Sequence, residues 1–302
     1  MTMQQLFFWG SAVLKEAGVP EPELDARYLL LHVWSISFAS FLASRNAPLP
    51  DNQEAAEKRK QYETLISKRA GRIPLQYLTG TQEFMGLEFL VNEHVLVPRQ
   101  DTETLVELVL AEQKDREKAL LDVCTGSGCI AISLAFLGGY RAVTALDISA
   151  EALRVAAQNA QKLLTGHGGT FSLLESNMFE GIEKRERFDI IVSNPPYIPT
   201  AVIGGLEPEV RDFEPRLALD GREDGLEFYR ILAEQGREFL VPGGYIYMEI
   251  GCEQAEDVTT LFRGQGYESL KTVKDMAGLD RVVRAVWPGQ EMEKREEGEN
   301  DV

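Results

Sequence analysis

The stretch "ALLDVCTGSGCIAISLAFLGGYRAVTALD", Ala119 to Asp147, decides the fold. "ALLDV" is a short apolar run of strand length, and "TGSG" ends it with two glycines, residues that reach positive φ without steric cost and so permit a tight turn. "CIAISLAFL" reads as a helix opened by that turn, and "AVTALD" is a second strand. Strand, glycine turn, helix and strand in this order imply two parallel strands joined by a crossover helix.

Toward the C-terminus, "SAEALRVAAQNAQKLL" is a helix capped by Ser149. "TFSLLES", "FDIIVSN" and "GGYIYMEIG" add strands, with the helix "LEFYRILAEQGREFL" before the last of them. Strands alternating with helices of this length predict an α/β fold with a mainly parallel sheet covered on both faces. Ligands of such sheets sit beyond the carboxyl ends of the strands. Toward the N-terminus, apolar residues recur three and four apart in "LFFWGSAVL", "ELDARYLLLHVW" and "AAEKRKQYETLISKRAG", which predicts a small helical bundle over residues 1–80. Pro20 and Pro48 punctuate it, and Asp51 is placed to cap the last helix. Alternating apolar residues on either side of Asn92 and Glu93 predict a two-stranded connector that ends at Pro98. The domain organisation expected is therefore 1–80 helical, 81–97 β-hairpin connector, 98–288 α/β domain, and 289–302 a charged, disordered tail.

The 302 residues carry a formal charge of −17, and the tail from Glu291, with six acids and two bases, accounts for only −4 of it. An acidic body repels a phosphate backbone, which argues against direct nucleic-acid binding. No stretch reaches the roughly 18 uninterrupted apolar residues of a membrane span, and no basic cluster precedes the first apolar run, so a cytoplasmic protein with no membrane partner is expected. Three cysteines and three histidines show no paired ligand spacing, so neither disulfides nor a metal site is expected.

The glycine turn lets backbone amides approach a ligand closely, or serves only to pack a strand against a helix. Asp147, nineteen residues after Gly128, ends the next strand, where a carboxylate can accept hydrogen bonds from both hydroxyls of a ribose or can cap the following helix. Together they favour a cofactor bearing adenosine. The dinucleotide pattern G-x-G-x-x-G is not met, since Ile130 and Ala131 stand near its third glycine, and this favours S-adenosylmethionine, which has no phosphate. A further signal is "FDIIVSNPPYIP", Phe188 to Pro199, in which a buried strand stops at Asn194 and two prolines that can continue neither sheet nor helix. An amide or exocyclic amine nitrogen is a poor nucleophile because its lone pair is delocalised. The Asn194 side-chain oxygen and the Pro195 carbonyl can accept its two N–H groups, Pro196 stiffens the corner, and Tyr197 can pack on the flat group.

Asn194-Pro195-Pro196-Tyr197 resembles the N-P-P-Y signature of methyltransferases that alkylate conjugated nitrogen. With "PLQYLTGTQEFMGLEFLVNEHVLVPRQDTETLVE", the glycine loop, "SNPPYIP" and "FEPRLALDGREDGLEFYRIL", the chain resembles the peptide-chain release factor glutamine N5-methyltransferases over nearly its whole length. The resemblance implies a seven-stranded class I methyltransferase (Rossmann-like) sheet, preceded by a helical substrate-docking domain and a hairpin. It implies transfer of a methyl group from S-adenosyl-L-methionine to the glutamine of a release factor's Gly-Gly-Gln loop. It puts Asn194, Pro195, Pro196 and Tyr197 in the catalytic corner. It assigns Cys124, Thr125, Gly126, Ser127, Gly128, Asp147, Asn177, Met178 and Asn194 to the cofactor, with Cys124 standing where the common loop has glycine. Arg99, Thr102 and Glu103 fall at the rim of the site, either in contact with it or favouring the start of a helix, and Phe213, Glu214 and Pro215 fall on the substrate approach or in a packed loop. The same chemistry on a ribosomal-protein glutamine, methylation of a nucleic-acid amino group, and cofactor binding without catalysis stay open as alternatives.

Overall fold

Side chains at the helix starts explain where the N-terminal helices begin. In the computed structural model, which describes residues 1–289, α1 (Met3–Glu16) opens with a reciprocal pair: Thr2 Oγ1 accepts from the Gln5 amide at 3.2 Å, and Gln5 Oε1 accepts from the Thr2 amide at 2.8 Å. Pro22 sits in the first turn of α2 (Pro22–Trp34), and Ser37 caps α3 (Phe38–Ser44). The fourth helix, α4 (Gln53–Ala70), is capped by Asn52, whose Oδ1 accepts from Ala55 N at 2.9 Å. Asp51, the expected cap, lies one residue too early to reach those amides. Leu14, Leu29, Leu30, Tyr62 and Ile66 are fully buried between these helices. A Cβ on Gly10 would lie 2.2 Å from the Tyr62 hydroxyl, so this glycine lets α1 approach α4 closely.

After α5 (Leu75–Thr79) the chain forms a hairpin of β1 (Thr81–Phe84) and β2 (Leu87–Leu90). Its turn is Met85-Gly86, both at positive φ (53° and 72°), the geometry a two-residue hairpin loop requires. The expectation of a turn at Asn92-Glu93 is corrected: Asn92 Oδ1 accepts from the His94 amide in a local loop beyond the hairpin.

The α/β part of the chain is built from α6 (Gln100–Glu112), β3 (Ala119–Val123), α7 (Cys129–Gly138), β4 (Ala142–Asp147), α8 (Ala150–Leu163), β5 (Thr170–Glu175) and β6 (Phe188–Ser193), continued by α10 (Glu227–Phe239), β7 (Leu240–Glu249), α11 (Ala255–Gly264), β8 (Glu268–Lys274) and β9 (Asp280–Trp287). Between β6 and α10 lies the short helix α9 (Pro208–Phe213). Seven strands lie in the order β5-β4-β3-β6-β7-β9-β8, with β3 to β7 parallel and β9 antiparallel to both of its neighbours, β7 and β8. The order reverses between β3 and β6, so the carboxyl ends of these two strands flank the switch point. Leu121, Ile191, Tyr229, Leu232, Ile246 and Met248 are wholly buried in the sheet's main apolar core. Exposed lysines at 271 and 274 on the edge strand β8 discourage pairing with another chain.

The chain divides into two units. One is Met1–Pro98 together with Ala201–Leu219; the other holds Arg99–Thr200 and the chain from Asp220 onward. In the first unit, α9 is tied back to the helices by buried charge: Arg69 donates to Asp25 at 2.6 Å and to Glu209 at 2.8 Å, and Arg72 donates to Glu209 at 2.5 Å. Burial works against ionisation of Glu209, but the two guanidinium groups hold its carboxyl below the usual value. The tail expected to be disordered lies, from residue 290 on, outside the described residues.

Candidate active site

The turn after β3 is held by its own backbone and by two carboxylates. Thr125 N donates to Leu146 O at 2.8 Å, and Gly128 N to Thr125 O at 2.9 Å. Asn159 Nδ2, from α8, donates to Ser127 O at 2.9 Å. The two glycines do different work. A Cβ on Gly128 (φ 81°) would come within 2.8 Å of Ile132 Cδ1, so that residue is needed for packing, whereas a Cβ on Gly126 (φ 56°) would meet nothing within 4 Å and opens the turn outward. Cys124 also adopts positive φ (64°), at a cost of roughly 1 kcal/mol for a residue with a side chain. Its thiol points at Met178 Sδ, 3.8 Å away.

Met178 sits at φ 51° in the turn after β5, held by Ser176, whose Oγ donates to Met178 O at 2.7 Å and accepts from Gly181 N at 2.8 Å. Asn177 beside it is exposed, and its Nδ2 donates to Glu180 Oε1 at 2.9 Å, which leaves its Oδ1 as an acceptor. Burial raises the thiol pKa of Cys124 and pushes that of Cys129 up to about 12, so neither is a thiolate nucleophile. Among the described residues, no three His, Cys, Asp or Glu side chains are grouped so as to hold a metal ion, and no single helix is long and apolar enough to cross a membrane.

Asp147 links the turn to the following helix. Oδ2 accepts from Gly126 N at 2.8 Å and Oδ1 from Ser149 N at 2.9 Å, so the carboxylate buckles the glycine turn to the start of α8. Each oxygen keeps a second lone pair. Burial raises its pKa, against the pull of those amides.

Beneath the turn lies Asp122, completely buried, with Oδ2 accepting from Thr125 Oγ1 at 2.6 Å and from Ala131 N at 3.2 Å, and Oδ1 without a hydrogen-bond partner. Burial pushes its carboxyl up to about 7, although both donors favour the charged form. The folded value exceeds that of an unfolded aspartate, about 4, so folding favours the protonated acid. The stability this contributes is complete below pH 4 and is lost as pH rises to about 7. Relative to Asp122→Asn, the wild-type chain is expected to lose about 2–3 kcal/mol of stability between pH 5 and pH 8. Urea unfolding of both proteins at the two pH values measures this, and an unchanged gap would refute the raised pKa.

At the end of β6, Ser193 Oγ donates to Val123 O at 2.7 Å and joins the ends of β6 and β3. Asn194 follows, half-buried, its Nδ2 donating to Thr102 Oγ1 at 3.3 Å; Oδ1 is therefore the end of the amide available to a ligand. Thr102 is buried in the first turn of α6, and its hydroxyl oxygen accepts that bond. Arg99 and Glu103 occupy the N-cap and first turn of the same helix. Pro195 and Pro196 are buried. The Tyr197 hydroxyl donates to Glu249 Oε1 at 3.2 Å, and its carbonyl accepts from Gln254 Nε2 at 3.1 Å. A Cβ on Gly225 would lie 2.3 Å from Tyr197 O, and one on Gly221 2.7 Å from Tyr197 Cα, so the glycines of "DGREDG" are spaces into which the corner packs. Phe213, Glu214 and Pro215 belong to the first unit.

The site thus brings together the Cys124–Gly128 turn, Asp147, the Asn177-Met178 turn and the Asn194–Tyr197 corner at the carboxyl edge of β3, β4, β5 and β6. Sequence reasoning did not single out Asp122 beneath the turn or Glu249 and Gln254 beside the corner. Its available signal was the presence of a single acid in each of two apolar runs, "LLDV" and "YIYMEI".

Comparison with known proteins agrees with this geometry. Residues 5–80 match the family model described as the PrmC N-terminal domain, and residues 100–202 match the Methyltransferase small domain. The chain is 41% identical over 282 residues to the release factor glutamine methyltransferase of Geobacter sulfurreducens, covering 93% of this chain and 95% of that protein. It is 42% identical over 285 residues to the enzyme of the same name from Moorella thermoacetica, covering 93% and 97%. A methyltransferase crystal structure from Pyrococcus furiosus shares the sheet fold, with a TM-score of 0.50 and 20% identity over 68% of this chain and 91% of that one. With relatives this similar along almost their entire length, and with the glycine turn and the N-P-P-Y corner meeting at the switch point, the chain belongs to the release factor glutamine methyltransferase family.

Proposed function

We propose that the protein is an S-adenosylmethionine-dependent methyltransferase that alkylates the side-chain amide nitrogen (N5) of the glutamine in the Gly-Gly-Gln loop of peptide-chain release factors. The observation that carries this reading is the orientation of Asn194, whose amide nitrogen is committed to Thr102 so that its oxygen faces the ligand side. The residues fit the cofactor. Gly126 opens the turn to a close approach, Asp147 keeps lone pairs for two ribose hydroxyls, and Asp122 Oδ1 and Ser127 Oγ are buried polar atoms under the turn that want partners. No lysine or arginine lies between Asp122 and Ala131 to meet a phosphate, in keeping with a nucleoside that has none. Cys124, Thr125, Gly126, Ser127 and Gly128 would hold the amino-acid end and the ribose edge, and Asn177 and Met178 the adenine. The bound cofactor supplies an electrophilic sulfonium methyl group.

The protein's own work is on the nitrogen. A carboxamide nitrogen carries two hydrogens and a delocalised lone pair. Asn194 Oδ1 accepts one N–H and the Pro195 carbonyl the other, which holds the nitrogen in place and favours the positive charge that grows on it. Tyr197 packs against the flat amide, its tilt set by the hydrogen bond to Glu249. The extra proton leaves to water, so no side chain is needed as a base. A Gly-Gly-Gln loop offers almost no side-chain information, so selection of the protein substrate falls to contacts remote from it, and residues 1–80 are assigned that docking role.

The test is a transfer assay with labelled S-adenosylmethionine, offering a release factor, its Gly-Gly-Gln glutamine-to-alanine variant, ribosomal proteins and DNA. Label on the intact release factor alone is expected. Label on ribosomal protein or DNA would overturn the substrate, and no label on any of them would overturn the activity.

A further inference from the structure

Gln254 stands at the N-cap position of α11, yet its side chain makes no bond to the first amides of that helix and turns to the corner instead. Serine, threonine, aspartate and asparagine are the residues that cap such a position well, so helix stability does not account for a glutamine there. What its side chain holds does. Nε2 donates to Tyr197 O at 3.1 Å and to Gly225 O at 3.2 Å, and Oε1 accepts from Gly251 N at 2.9 Å. One flat group thereby joins three segments: the corner after β6, the loop before α10 and the turn after β7. Three glycines let these segments come close. A Cβ on Gly225 would lie 2.9 Å from Gln254 Nε2 as well as 2.3 Å from Tyr197 O, and one on Gly251 would lie 2.8 Å from Gln254 Oε1 and 3.5 Å from Tyr197 Cδ2. Gly221 approaches the Tyr197 backbone from the same loop, which then pairs with the chain leaving the corner: Gly221 N donates to Ile198 O at 2.9 Å, and Thr200 N to Arg222 O at 2.8 Å.

We infer that Gln254 is a positioning residue for methyl transfer: by tying the Tyr197 carbonyl to Gly225 and Gly251, it fixes the backbone from which the Tyr197 ring is presented to the substrate amide. The inference rests on the reading of Tyr197 as part of the substrate clamp. The phenol end of the ring is held by its bond to Glu249, but an anchor at one end leaves the ring free to swing about it. The second anchor, at the backbone, removes that freedom and keeps the ring in the tilt that suits the flat amide. The site also explains why the anchor is a glutamine. Two carbonyls must be met by donors and one N–H by an acceptor, and among side chains only the carboxamides carry two donors and an acceptor on one flat group. Gln254 acts through Tyr197, so its loss appears in the rate of transfer and not in the affinity for the cofactor.

The experiment compares Gln254→Met, Gln254→Glu, Tyr197→Ala and the double variant Gln254→Met/Tyr197→Ala in the full-length protein, measuring kcat and KM with a release factor and cofactor affinity by calorimetry. Gln254→Met, which keeps the length and removes all three bonds, is expected to lower kcat about 10- to 100-fold, with KM and cofactor Kd within about twofold. Gln254→Glu keeps the acceptor for Gly251 N, loses both donors at neutral pH and should fall in the same range. Once the ring is gone there is nothing left to orient, so adding Gln254→Met to Tyr197→Ala should lower kcat by no more than about twofold further. Wild-type kcat in Gln254→Met, beside a large loss in Tyr197→Ala, overturns this inference and spares the clamp. Wild-type kcat in Tyr197→Ala removes the tyrosine from the clamp, and the inference falls with it. A full loss from Gln254→Met that persists in the Tyr197→Ala background overturns the inference, because Gln254 then acts by another route. A parallel fall of kcat and cofactor affinity in Gln254→Met marks a merely structural residue and overturns it as well. Should Gln254→Met not fold, Gln254→Glu takes its place in each comparison.

Discussion

Asn194→Ala lowers the rate of methyl transfer by on the order of 100-fold, about 3 kcal/mol in the barrier, with cofactor affinity changed no more than a few-fold. The expectation follows from where the amide sits. It ends β6 at the switch point, and its nitrogen is held by Thr102 at 3.3 Å, so removing the side chain takes away a preset acceptor and not a part of the core. An acceptor aimed at a nitrogen acts most strongly as positive charge grows there, and the loss therefore appears in kcat more than in ground-state binding. Asn194→Asp is a useful companion, because it keeps an acceptor but cannot donate to Thr102, and its carboxylate would be half-buried. Single-turnover rates with a release factor, beside calorimetric cofactor affinities, measure the split. If affinity falls as steeply as the rate, Asn194 serves the cofactor and its assignment to the substrate nitrogen is wrong.

Arg69→Met destabilises the first unit by about 3–5 kcal/mol. The guanidinium is buried and bridges Asp25 on α2 to Glu209 on α9, at 2.6 and 2.8 Å, so its removal takes a charged partner from both acids. Glu209 keeps Arg72, but Asp25, 6% exposed, loses its charged partner. Asp25→Asn in the Arg69→Met background should recover part of the loss, since a neutral amide costs less to bury than an unpaired carboxylate. Chemical unfolding gives the size of the effect. Limited proteolysis adds its location, with early cleavage expected in Ala201–Leu219, the segment these ion pairs hold. A loss under about 1 kcal/mol would put the cluster in the class of exposed surface pairs and end the argument.

Much of this protein was legible before any coordinates. The helix starts of α7 and α8 follow from Gly128 and Ser149, and the parallel strands from short apolar runs between helices. The hairpin turn was misplaced because alternation around Asn92 imitates two strands, whereas Met85-Gly86 supplies the positive φ that a two-residue loop needs. The strands β8 and β9 left little trace, since "ESLKTVK" lies at an exposed edge and mixes charge with apolar residues.

Local and chemical properties are readable from the order of residues: where elements begin and end, which face of each is apolar, and that an amide acceptor followed by two prolines and a tyrosine ends a buried strand. Those properties depend on neighbours a few residues apart, and they survive translation into one dimension. Which polar groups share a proton emerges only once the chain is folded. Thr102 meets Asn194 across 92 residues, Tyr197 meets Glu249 across 52, and Arg69 meets Glu209 across 140. Such pairings form because a buried polar group must find a partner, and which partner lies within hydrogen-bond reach is set by strand order and helix packing, not by any spacing along the chain.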